Sequence, residues 1–196
     1  MKVLDLFCGM GGWSIGFRRQ GFEPTGLDID DVGYPYDFIL DDIRDFDGNP
    51  FKGKFEVIVA SPPCTEYSSL AKFSALRGQR PFPDPEKGNL LVKEAKRVIE
   101  QIQPRFWVLE NVKGSLKPIY SILGVPRMRY GPWQLWGNFP RFLMPSSNMK
   151  KWNGSGEGSW LDRPLRFNPL GAWLRAKIPI GLSEAIAKAC KESLTV

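Results

Sequence analysis

The sequence contains no histidine. That absence removes Ser–His and Cys–His hydrolytic pairs, imidazole-bound metals and histidine general bases together. Cysteine is scarce: Cys8, Cys64 and Cys190 make an odd number with no paired spacing. Neither a disulfide framework nor a zinc site fits that pattern, and no metal site is expected. Long apolar runs are missing too, none approaching the roughly 18–20 residues needed to span a bilayer. The opening "MKVLDLFCGM" is broken by Asp5 before a signal-type apolar stretch develops. The expectation is a cytoplasmic protein with no membrane partner.

What is present favours one compact α/β domain: 196 residues, 42% of them hydrophobic. Charge is segregated along the chain. Residues 1–66 hold 6 Lys or Arg against 12 Asp or Glu, whereas residues 114–196 hold 12 against 4. An acidic first third followed by a basic, Trp-rich remainder points to a cationic small molecule at one end and a polyanion at the other. The other reading is scattered surface lysines that serve solubility.

Strands are expected at 2–7, 25–29, 36–43, 55–60 and 105–112, with a helix over 13–20 and a strongly periodic one over 89–102. Strands alternating with helices imply a mostly parallel sheet with helices on both faces. Residues 68–88 read as a long functional loop. Residues 124–140 read as irregular or hairpin structure, and 181–194 as a closing helix with Ser183 as its N-cap.

In such a sheet, ligands bind beyond the carboxyl ends of the strands. "DLFCGMGG" puts Asp5 at the end of the first strand and Gly9, Gly11 and Gly12 in the following turn. A third glycine at dinucleotide spacing is missing, and no Lys-Ser/Thr follows, so neither a dinucleotide nor a Walker phosphate loop fits. Asp28 ends the second strand, where a carboxylate can take ribose hydroxyls, and Asp42 ends the third, in reach of an adenine amino group. S-adenosyl-L-methionine, a nucleoside with a positive centre, suits so acidic a pocket.

The fourth strand empties into "SPPC". Two prolines stiff at φ aim the next side chain, Cys64. A thiolate adding to carbon 6 of cytosine turns carbon 5 into a nucleophile, and an acid near ring N3 helps as charge accumulates. Glu110, in "VLENV", ends the neighbouring strand, with Asn111 placed to orient it or to satisfy nearby backbone. An unpaired cysteine is more often a small core residue, which is the reading of Cys190; Cys8 is read as a loop filler.

"DLFCGMGG", "PPC" at 62–64, "ENV" at 110–112 and the pair Arg127 and Arg129, in that order, resemble the DNA cytosine-5 methyltransferases. The resemblance implies a Rossmann-like S-adenosylmethionine-dependent fold and methyl transfer to DNA, with RNA open as the alternative polymer. It implies Cys64 as nucleophile, Glu110 on N3 and the exocyclic amine, Arg129 on the base's O2, and Arg127 bracing the loop or the cofactor side. Cofactor contacts fall on Asp5, Phe7, Gly9, Gly11, Gly12, Asp28, Ile29, Asp42, Ile43 and Pro62. Pro63, Ser68 and Asn111 would border the substrate, and Lys72, Arg77, Arg80 and Lys87 could meet phosphates or form a solvated basic loop.

The sequence departs from that family in places. Thr65 follows the nucleophile where Gln is usual, and Ile29 stands where a Trp often stacks on adenine. "IPIGLS" (178–183) replaces the usual Gly-Asn-Ser. The expected organisation is a catalytic core at 1–142, a short irregular insert at 143–172 in place of a target-recognition domain, and a closing segment at 173–196. So small an insert implies relaxed specificity, a recognition role for the 68–88 loop, or a partner subunit or homo-oligomer that completes the site.

Overall fold

The computed structural model describes residues 1–143 and 178–195. One seven-stranded sheet runs in the order β3-β2-β1-β4-β5-β7-β6. Its strands are β1 (Lys2–Leu6), β2 (Glu23–Asp28), β3 (Asp37–Leu40), β4 (Val57–Ala60), β5 (Phe106–Val112), β6 (Met128–Tyr130) and β7 (Trp133–Asn138). The first five are parallel to one another. β7 lies antiparallel to β5, and β6 folds back on β7 as a hairpin at the edge. The helices among the described residues are α1 (Gly12–Arg19), α2 (Ser69–Leu76), α3 (Pro85–Ile102), the single turn α4 (Tyr120–Leu123) and α5 (Ile180–Leu194). This is the expected Rossmann-like α/β architecture.

Alternation along each strand decides which helix covers which face. Val3, Val57, Val59 and Val108 pack with Trp13 and Phe17 of α1 and with Leu182 and Ile186 of α5. Leu4, Leu6, Ile58, Ala60 and Leu109 pack instead under Val92, Ala95, Val98, Ile99 and Ile102 of α3. Both faces are covered, so the central strands read as unbroken apolar runs.

Three expectations change. Residues 68–88 are not a continuous loop: they hold α2 and the first turn of α3. α3 starts at Pro85, with the Asp84 carboxylate accepting the Glu86 amide at 3.1 Å. Asp followed by Pro is a helix-start signal that stands apart from the apolar periodicity downstream. Ser183 is not an N-cap: α5 begins at Ile180, and the buried Ser183 hydroxyl donates to the Trp13 carbonyl of α1. The third strand is shorter than expected and ends at Leu40, leaving Asp42 two residues beyond it.

The α1–α5 crossing is close because Gly16 faces Ser183. A Cβ on Gly16 would lie 2.3 Å from the Ser183 hydroxyl oxygen. The 143–172 insert, apart from Leu143, lies outside the described residues.

Candidate active site

The turn after β1 is held in a conformation that favours glycine. Gly9 and Gly11 have φ of 47° and 74°, and Phe7 takes the same left-handed region at 60°. A side chain at such a φ costs on the order of 1 kcal/mol, and the surroundings fix it: the Phe7 and Cys8 amides both donate to the Leu27 carbonyl of β2. Gly9 donates its amide to Asp28 Oδ2 at 2.9 Å. The glycine turn is thus tied to the carboxyl end of β2.

Asp5 does not reach the opening of this turn. It is buried, and its carboxylate takes the Ser14 hydroxyl at 2.6 Å and the Ser14 amide at 3.3 Å. Burial pushes its pKa up to about 8. Its carboxylate holds the start of α1. The Tyr34 hydroxyl lies 2.6 Å from the Ser14 hydroxyl, and its ring covers Gly11, where an added Cβ would meet it at 3.3 Å. Tyr34 carried no recognisable signal in the sequence.

The acidic end divides. Asp28 is buried at the carboxyl end of β2, its pKa raised by burial, with exposed Ile29 beside it. Asp42 is gripped by the Arg44 guanidinium two residues on, which lowers its carboxyl to about 2. Ile43 is a core residue, buried beneath α3, with its carbonyl accepting from Arg97 at 2.8 Å.

The nucleophile turn and the acid come together at the carboxyl ends of β4 and β5. Asn111 donates its side-chain amide to the Pro62 carbonyl at 3.1 Å, fixing buried Pro62 and leaving Pro63 exposed. The Cys64 carbonyl then accepts the Tyr67 and Ser68 amides, which leads the chain into α2. Cys64 is half-buried, and its thiol pKa is pushed up by burial and then by the charge of Glu110. Glu110 itself is buried and pushed up to about 7, against a hydrogen bond from Ser61 that lowers it. The Ser61 hydroxyl donates to Glu110 Oε2 at 3.0 Å, and Trp13 Nε1 donates to Ser61 at 2.9 Å. Ser61 and Trp13 went unnoticed, although one directly precedes the Pro-Pro turn and the other directly follows the glycine turn.

The cations expected at this centre lie elsewhere. Arg129 is exposed on β6, in register with Gln134 and through it with Asn111. Opposed residues of a sheet share a face and successive residues alternate, so Arg129 lies on the face opposite Glu110. The Arg127 guanidinium lies 5.4 Å from the Phe139 ring centroid. Neither cation is among the causes that set the Cys64 pKa. On α2 and after it, Arg77 covers the Phe73 ring at 4.2 Å and Arg80 pairs with Glu66 at 3.3 Å, while Lys72 and Lys87 are exposed. No cluster of groups able to hold a metal occurs among the described residues.

A buried acid beside a cysteine, both at strand ends next to a glycine turn, is a geometry that a family comparison can test. The model of the C-5 cytosine-specific DNA methylases matches residues 1–120. The chain belongs to that family. Type II methyltransferase M.NgoPII of Neisseria gonorrhoeae is 32% identical over 125 residues, covering 59% of this chain and 34% of the relative. Type II methyltransferase M.FnuDI of Fusobacterium nucleatum is 36% identical over 124 residues, covering 59% of this chain and 33% of the relative. Among solved structures, the Entamoeba histolytica methyltransferase EhMeth overlaps 72% of this chain and 54% of its own, at 16% identity and a TM-score of 0.47. The chain spans about a third of the length of these two curated relatives. Among the described residues no helix is long and apolar enough to cross a membrane.

Proposed function

We propose that this methylase-family chain transfers a methyl group to carbon 5 of cytosine in DNA, with Cys64 as the covalent nucleophile. The observation that carries the reading is the pairing of Cys64 and Glu110, one on a proline-stiffened turn and the other buried beside it.

The site fits S-adenosyl-L-methionine. Gly9 holds a left-handed turn with no Cβ, Asp28 offers a carboxylate at the end of β2, and Ile29 offers an exposed apolar side chain beside it. When bound, that cofactor supplies an electrophilic methyl group.

The chain's own residues do the rest. The target base must leave the stack to reach a half-buried sulfur. The Cys64 thiol gives its proton to solvent, and a sulfur electron pair bonds to carbon 6 as the carbon 5–carbon 6 pair moves to carbon 4–carbon 5 and the carbon 4–N3 pair moves onto N3. Glu110 is at the edge of ionisation near neutral pH, so it can hold a proton against N3 as charge gathers there. Asn111 keeps the Cys64 turn in register with Glu110. After transfer, the carbon 5 proton goes to solvent, its bond pair re-forms the carbon 5–carbon 6 double bond as the carbon 6–sulfur bond breaks, and N3 returns its proton to Glu110.

Residues 143–172 leave little room for groove readout. That supports short or relaxed specificity, a recognition role for residues 68–88, or a partner or second copy that completes the site. Incubation with tritium-labelled cofactor and matched DNA and RNA tests the reading. Label should enter DNA and vanish in Cys64→Ser. Full labelling by that variant would end the covalent proposal, and label in RNA alone would move the substrate.

A further inference from the structure

Resting on the cytosine-directed reading, we propose that Trp13 and Ser61 form a one-way hydrogen-bond relay that decides which oxygen of Glu110 carries the proton offered to the base. Ser61 and Trp13 are positioning residues here, acting through Glu110.

The direction of the relay follows from what each group can do. An indole nitrogen only donates. Trp13 Nε1, on a side chain 2% exposed, lies 2.9 Å from Ser61 Oγ and occupies a lone pair of the hydroxyl. The Ser61 proton then has one acceptor among the described residues, Glu110 Oε2 at 3.0 Å. Oε2 is therefore held as an acceptor. When Glu110 is protonated, the proton resides on Oε1. That oxygen has no protein partner among the described residues, and it is not among the sealed, unpartnered atoms. It is the oxygen left to meet a ligand.

Little else competes for this carboxyl. From the turn after β4 it faces the thiol of Cys64, which its own charge affects. α1 presents the uncharged indole, and the same row of the sheet presents Leu135 of β7 and Met128 of β6. Asp5 on β1 is engaged by Ser14, Arg127 lies over Phe139, and Arg129 is on the other face.

The relay has a chemical consequence. As the Oε1 proton moves toward N3, negative charge spreads to Oε2, where the Ser61 donor is already placed. A donor fixed before the charge develops needs no reorganisation during the step. Without it, the carboxyl holds its proton more tightly and rotates more freely.

The test needs no turnover. In the full chain labelled with 15N-tryptophan, the Trp13 indole resonance, assigned by its loss in Trp13→Phe, is followed from pH 5 to 9. The relay predicts a titration with the Glu110 midpoint that flattens in both Glu110→Gln and Ser61→Ala. A wild-type indole signal that ignores pH, or one that still titrates in Ser61→Ala, would overturn it. In methyl transfer, Ser61→Ala should lower kcat about 3–10-fold, in keeping with one lost hydrogen bond, and shift the alkaline limb upward with the cofactor KM unchanged. Ser61→Thr should restore the limb, and adding Trp13→Phe to Ser61→Ala should change nothing further. An unmoved limb in Ser61→Ala would also count against the relay. A wild-type chain that titrates but never methylates would end the cytosine reading and leave the relay standing.

Discussion

Asn111 reaches from the end of β5 to the Pro62 carbonyl, 3.1 Å away, and so joins the strand that carries the acid to the turn that carries the thiol. The thiol and the acid come from different strand ends, and proline cannot donate an amide to lock the turn from within. The Asn111 side chain supplies that lock from outside. Asn111→Ala should leave the buried Pro62 carbonyl unpaired, costing about 1–3 kcal/mol of stability. It should slow methyl transfer at least tenfold while cofactor affinity holds, and single-turnover kinetics alongside cofactor titration separates the two.

Glu110 carries a pH signature in stability as well as in rate. Its folded pKa, about 7, lies above its ordinary 4.5, so the protonated form favours folding. That contribution is complete below about pH 4.5 and is lost as pH rises through 7. Glu110→Gln removes the ionisation. The variant should be inactive yet more stable than wild type above pH 7, by on the order of 3 kcal/mol. Chemical denaturation at pH 5 and pH 9 checks this: the gap should open at pH 9 and nearly close at pH 5.

Gly16 permits the closing helix to dock. Any Cβ there would meet Ser183 oxygen at 2.3 Å and the Glu184 amide nitrogen at 2.7 Å, and the second contact is backbone. Gly16→Ala should therefore destabilise by about 1–3 kcal/mol through overpacking, despite the better helix propensity of Ala. Urea unfolding gives the value directly.

The basic residues after Cys64 should act on binding more than on chemistry. Lys72 is exposed on α2, and Arg77 lies over the exposed ring of Phe73. Lys72→Ala or Arg77→Ala should each weaken DNA binding and reduce the salt slope by about one. Arg80, paired with Glu66, should do so less. Fluorescence anisotropy across a salt series checks all three.

How much of this was legible follows from the kind of signal each residue leaves. Asp28, Cys64 and Glu110 were legible because each lies at or just past the carboxyl end of an apolar strand, and strand ends are where such a sheet binds. α2 was missed because its large apolar residues Phe73 and Leu76 are exposed, while its buried positions among the described residues are the small Ala71 and Ala75, which leave a weak apolar period. Ser183 has the chemistry of a cap but a contact to α1, and only the packing of two distant segments reveals that. Asp42 was read from its place at a strand end and Arg129 from the resemblance. The structure pairs Asp42 with Arg44, and hairpin register puts Arg129 on the face opposite Glu110. Ser61 and Trp13 lie 48 residues apart, and no spacing rule joins them.

Covalent capture tests the central claim most directly. DNA containing 5-fluorocytosine cannot release its carbon 5 substituent, so the adduct accumulates when sulfur has bonded to carbon 6. With cofactor present, the account predicts a stable protein–DNA species whose peptide mass places the bond on Cys64, and none with Cys64→Ser. A chain that methylates cytosine yet never traps, or that traps through another residue, would contradict it.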